Sequence, residues 1–490
     1  MISALAWVRK GAAKELPDKY ELTEEEFQRV SEMANERIRA PDEGVDAEMA
    51  IDDEAGTAKN GNAAAPEAAI DPELAEYDLE HYDDPAPGEE EEEEDEEDGG
   101  MSLFSKIKGL SYHASNEDDP YIVMNENDAD SDVEDVHVRA NDNMLVAAKT
   151  EDDISHLEVY VFEEAEDNLY VHHDVMLPSF PLCLEWLDFR AGRRAQEGGQ
   201  GNYIAVGTFE PEIEIWDLDT MDAMYPDAIL GAEAKKDKKA KKKRGKFHTD
   251  AVMSLAWNKT HRNILASASA DTTVKLWDLN TLKCAHSFEH HTDKASDNEV
   301  QVVTWHPVEA TVMATGSYDQ TVTAFDSRAP GNLTRWSVPA DVESLVWDVH
   351  APQQFYVSAE NGAVYCFDVR QGSSSTPVFT LQAHDDACSS VDIHPTIPGC
   401  LVTSSVDKTV KIWDLHSGKP SMLSSRDVGV GKVFSAKFCP DSKLHLAVCG
   451  TAGSVRIWDA TTGGALRRAL ADRVTFPEPE GGFKDVCICG

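Results

Sequence analysis

The chain has 490 residues and a formal charge of −47, long enough for one large domain with extensions. It holds no run of 18 apolar residues, which excludes a membrane-spanning helix, and the apolar residues 1–8 give way to Arg9 and Lys10, too early for a secretory leader. Nine cysteines without a CxxC pair read as small buried hydrophobes in a reducing compartment, not as a disulfide framework or a metal site.

Residues 1–40 form an N-terminal arm. Thr23 with Glu26 makes a capping box, and Phe27, Val30, Met33, Ala34 and Ile38 recur near helical spacing, so a short amphipathic helix is expected over residues 24–39. Such a helix needs a surface to pack on. Ile2, Leu5, Trp7, Val8 and Phe27 are expected to anchor this arm in a partner's groove, with Trp7 as the main anchor, the alternative being that the arm packs on the rest of its own chain.

Residues 41–118 are an acidic linker. Between residues 41 and 100 there are 25 acidic residues against one basic, ending in ten consecutive acids from Glu89 to Asp98. Such a stretch cannot bury enough apolar surface to offset its chain entropy and should be disordered. Its field suits basic partners such as histones or ribosomal proteins. The island Tyr77–Asp83 breaks the polarity and reads as a docking motif, while Ser115 and Ser131 each precede acids and suit an acid-directed kinase.

From Asn141 onward the chain repeats itself. An aromatic-Asp pair ends a strand at Trp216-Asp217, Trp277-Asp278, Phe325-Asp326, Phe367-Asp368, Trp413-Asp414 and Trp458-Asp459, at spacings of 61, 48, 42, 46 and 45 residues. That period and dipeptide mark the blades of a WD40 propeller. Blade-opening strands are expected at 181–189, 252–258, 300–307, 342–350, 389–395 and 433–440, each followed by a second and a third strand. A first blade lacking the dipeptide is read at 144–148 and 157–162, and residues 121–125 are expected to supply the outer strand of the last blade. The fold expected is therefore all-β, a seven-bladed WD40 β-propeller over residues 119–470, with a mostly disordered acidic N-terminal arm containing one short helix. A lysine-rich insertion occupies 228–247, and residues 471–490 form a tail.

Two blades carry residues that resemble a hydrolase triad: His248, Ser267 or Ser269, Asp271 and Trp277, and again His384, Ser404 or Ser405, Asp407 and Trp413. A catalytic site occurs once, whereas this set recurs. A buried indole N–H needs an acceptor, Ser supplies it, and His links Ser to the turn Asp, so the set is read as blade scaffolding. Gly429-Val-Gly431-Lys432 lacks the first glycine and the hydroxyl of a phosphate-binding loop. No catalytic motif, cofactor or small-molecule substrate is implied.

Two surface features point to partners. Lys235, Lys236, Lys238, Lys239, Lys241, Lys242, Lys243 and Arg244 form a basic patch suited to nuclear import or to RNA phosphates. Asp326-Ser-Arg328 and Asp368-Val-Arg370 resemble the boxes through which some WD40 proteins dock to a cullin–RING ubiquitin-ligase adaptor, here following Phe instead of Trp.

Several segments outside the repeats carry a more specific resemblance: Met1–Val8, Ala13–Tyr20, Tyr77–Tyr82, Lys108–Tyr121 and Asn143–Tyr160. Together they resemble the periodic tryptophan protein 1 family. The resemblance implies a nuclear, largely nucleolar scaffold acting in early particles of large-ribosomal-subunit assembly, with assembly proteins as partners and ribosomal RNA as a further contact. It also implies links to ribosomal RNA gene transcription and chromatin. A histone-binding regulator and a ubiquitin-ligase substrate receptor are the competing expectations.

Overall fold

The computed structural model describes residues 1–20, 136–192, 199–232, 246–291, 299–373, 376–416 and 418–474. The expected helix at 24–39 with Phe27, the acidic linker with Ser115, the strand at 121–125, Ser131 and the patch Lys235–Arg244 all lie outside the described residues.

Seven antiparallel sheets stand around an axis, six of four strands and the last of three among the described residues. Their inner strands are Ile2–Val8, Pro181–Phe189, Val252–Trp257, Val300–Trp305, Val342–Trp347, Ser390–Ile393 and Val433–Phe438, each packed against the next, with the seventh meeting the first. The expected seven-bladed WD40 propeller is what the chain forms. Alternating side chains explain the packing: in each blade one set faces the preceding blade and the other the following one, so six interblade layers and the ring seam fill with Val, Leu, Ile and aromatic residues. In the second and fourth blades the second strand meets the next inner strand so closely that there is room only for glycine. A Cβ on Gly207 would lie 2.9 Å from Val252, and one on Gly316 only 2.6 Å from Val342.

Polar staples join the inner strands. Glu185 Oε1 accepts the amide of Trp257 at 3.1 Å, Ser254 Oγ that of Val303 at 3.3 Å, and Asp392 Oδ2 that of Phe438 at 3.0 Å. Each bonds a backbone donor that no strand of its own blade supplies. Burial pushes the Asp392 carboxyl up to about 6, against the pull of the Phe438 amide and the charge of Lys437.

The N-terminus corrects the expectation of a free arm. Ile2, Leu5, Trp7 and Val8 are buried, and Ile2–Val8 pairs antiparallel with Asn143–Glu151 as the inner strand of the first blade. The strand alternates between two layers: Ile2, Leu5 and Trp7 pack towards the seventh blade, Ala6 and Val8 towards the second. The Trp7 indole donates to the Lys437 carbonyl at 3.2 Å, Ser3 Oγ to Pro181 O at 2.7 Å, and the Lys10 amide to Asp441 at 2.9 Å. The ring is thus closed on the inside by residues at the start of the chain. The apolar anchors expected to enter a partner's groove enter the protein's own core, because a seven-stranded central ring is incomplete without them.

Of the expected tail 471–490 the described residues reach only 474, and the helix before it lies within the bounds expected for the propeller. This helix, Gly464–Leu470, buries Leu466 and Leu470 against the last two blades, and Arg473 bonds Asp414 and the Pro398 carbonyl.

Candidate functional site

The triad-like residues come together as expected in the third blade. His248 Nδ1 lies 3.0 Å from Asp271 Oδ2, its Nε2 lies 2.6 Å from Ser267 Oγ, and the Trp277 indole N–H donates to the same Oγ at 2.8 Å. Ser267, not Ser269, is the strand hydroxyl; Ser269 instead bonds the Asp250 carbonyl and the Asp271 amide. The chemistry has one consistent proton arrangement. Nδ1–H donates to the carboxylate, Nε2 accepts from the serine hydroxyl, and the serine oxygen accepts from the indole.

That arrangement cannot supply a nucleophile. Ser267 and His248 are at most 1% exposed, and the hydroxyl is committed to two bonds. Burial holds the His248 imidazole below its ordinary range, which the Asp271 contact only partly offsets. Burial alone would raise the Asp271 carboxyl, yet the bonds from His248, Thr273 and the Thr249 amide outweigh it and hold it well below the usual carboxylate range.

In the sixth blade one identity is corrected. His384 bonds Asp407 at 2.9 Å, but its other nitrogen meets Thr403 Oγ1 at 2.8 Å, and the Trp413 indole donates to that same oxygen at 2.9 Å. Neither Ser404 nor Ser405 takes that place. Trp413 pairs directly across from Leu401, so its layer alternates through Leu401 and Thr403, and Ser404 points the other way to Ser389.

Two related networks were not anticipated. In the fourth blade His291 bonds Asp319 at 2.9 Å and Thr315 at 2.8 Å, with Phe325 in place of the tryptophan. The signal was the His-to-Asp interval of 28 residues, stretched by an insertion from the 23 seen in the other two blades. In the second blade Asn202 joins the Trp186 indole to Asp219, which also accepts the Lys14 amide and so tethers the N-terminal segment.

The two Asp-x-Arg boxes are self-contained. Arg328 and Arg370 each clamp the carboxylate two residues before them through Nε and Nη2, leaving the guanidinium largely exposed at 73% and 67%.

Comparisons with known proteins agree with this geometry. Residues 241–278, 282–326, 375–414 and 427–459 match the model of the WD domain, G-beta repeat. Periodic tryptophan protein 1 of Saccharomyces cerevisiae is 35% identical, covering 96% of this chain and 90% of its own. This chain belongs to the periodic tryptophan protein 1 family. A Drosophila melanogaster homolog of that protein is 30% identical over 92% of this chain and 91% of its own length. An uncharacterized WD repeat-containing protein of Schizosaccharomyces pombe is 42% identical over 97% and 92%. Among the described residues no helix is long and apolar enough to cross a membrane. The family assignment accounts for the N-terminal resemblance: the segment that carries it, Met1–Val8, is a structural strand of the ring.

Proposed function

We propose that this protein is a non-catalytic scaffold of large-ribosomal-subunit assembly, acting in nucleolar pre-ribosomal particles. The observation that carries the scaffold reading is the closed ring of seven blades, whose buried His, Ser and Thr side chains are committed to bonds within their own blades. A rigid ring of that kind presents loops on two faces, surfaces on which partners can be held side by side. The ribosomal part of the reading rests on membership of the periodic tryptophan protein 1 family and on what the sequence resemblance implies. Its expected partners are assembly proteins and ribosomal RNA.

Sedimentation of the tagged protein from nuclear extract, with and without ribonuclease, tests this. Migration with precursors of the large subunit, collapsing to light fractions after ribonuclease, is the expected result. A light peak indifferent to ribonuclease would overturn it in favour of a chromatin or ubiquitin-ligase role.

A further inference from the structure

Among the described residues, the outer edge of the seventh blade pairs with no fourth strand. Its strands are Val433–Phe438, His445–Gly450 and Arg456–Asp459, and the outward backbone groups of the last meet no strand among the described residues. In each of the other six blades the third strand pairs with a fourth. Exposed edges are templates for pairing with another chain, and folded proteins usually cover or blunt them.

The surroundings of this edge specify what would cover it. On the side facing the sixth blade Trp458 is buried, Arg456 lies two residues before it on the same face and is exposed, and the Arg426 guanidinium sits 5.8 Å from the Trp458 ring. On the side facing the first blade, Ile457 packs with Tyr160 and Leu169. Beyond it lie three apolar side chains that the fold leaves in water: Ile154, Val171 and Met176, exposed by 54%, 47% and 55%. They share one face, because Met176 pairs with His156 and Val171 with Tyr160, and Ile154 is two residues before His156. A fourth strand on Arg456–Asp459 would lie between the arginines and this face, on which Glu158 and Asp174 sit between the apolar side chains.

We propose that the outer edge of the seventh blade docks an extended segment of a partner protein that alternates acidic and apolar residues. Its backbone would continue the sheet, its carboxylates would face Arg426 and Arg456, and its apolar side chains would cover Ile154, Val171 and Met176. In strand addition the main-chain bonds supply affinity and the alternate side chains supply specificity. The site takes an acidic segment on a protein that is itself strongly acidic, so binding depends on the local arginine pair and weakens with salt.

The test uses the full-length protein and a fluorescent peptide of sequence Glu-Val-Glu-Ile-Glu-Val-Glu, read by anisotropy. Controls are a peptide of the same composition with its acids in one block, and one N-methylated at alternate amides. Arg426→Glu with Arg456→Glu is the protein variant, its fold checked by thermal unfolding. The alternating peptide should bind, and the block order, the N-methylation and the charge reversal should each weaken binding at least about tenfold. Absence of binding, or equal binding by the block or N-methylated peptide or by the reversed variant, would overturn the proposal. So would amide exchange in the free protein as slow at Arg456–Asp459 as at the paired strand Thr409–Asp414, since a segment of the chain itself would then hold the place. A negative outcome leaves the gradient result untouched, because no ribosomal particle is present.

Discussion

Replacing Trp7 with alanine distinguishes a structural strand from a free docking arm. Trp7 is 8% exposed, packs with Leu145, Ala447 and Cys449 in the layer between the first and last blades, and donates its indole N–H to the Lys437 carbonyl. Truncating a buried tryptophan to alanine costs about 3–5 kcal/mol, from lost transfer energy and the cavity left behind. A ring of roughly 350 residues unfolds with an entropy of about 0.7 kcal/mol per kelvin, so about 4 kcal/mol lowers Tm by about 5 °C. Trp7→Phe keeps most of the apolar volume but leaves the Lys437 carbonyl without its donor, worth about 1–2 kcal/mol and roughly 2 °C. Differential scanning calorimetry of the purified protein at one scan rate measures both, the fixed rate guarding against irreversibility. A free arm would lose partner binding on Trp7→Ala with no change in Tm. A Tm within about 1 °C of wild type would refute the ring-closure reasoning.

Ser267→Ala removes the acceptor of the Trp277 indole and the donor to His248 together, so stability should fall by about 2–3 kcal/mol in denaturant titration, whereas Ser267→Thr should recover much of it. Stability should also fall on acidification. His394 is fully buried, accepts the amides of Thr396 and Ile397 through Nδ1, and is pushed down to about 4 by burial, so the unfolded chain takes up its proton first. Its contribution is intact above the ordinary histidine range and fades as pH falls from about 6.5 to about 4, by roughly 3 kcal/mol, and urea melts of His394→Asn should show a flatter profile there than wild type. The buried Asp392 acts in the opposite sense: its pKa is raised to about 6, so its contribution to stability is lost as pH rises from about 4 to about 6 and is constant above, and Asp392→Asn should gain in relative urea stability across that interval. Changing Arg328 and Arg370 both to Ala should leave Tm unchanged, since each pairs only with its own turn in the open, and a loss of adaptor binding in a pull-down would support the ubiquitin-ligase reading.

The repeat of aromatic-Asp pairs at 42–48 residues made the blades legible, because each blade is one local meander whose turns and strand alternation are written in neighbouring residues. For the same reason His248, Asp271 and Trp277 could be read as scaffolding before any coordinates. Strand register decides what local pattern leaves open, as at Thr403: side chains alternate with period two, and in a run of hydroxyl residues only the pairing of Trp413 with Leu401 decides which faces the histidine. The fate of Ile2–Val8 was beyond local pattern altogether. Its partner strand begins at Asn143, more than a hundred residues away, and an apolar segment ahead of an acidic linker looks alike whether it seeks a foreign groove or its own. The sequence by itself determined the number and kind of blades. Only the tertiary structure decided how the ring closes, because closure is a property of all seven inner strands at once and no single blade contains it.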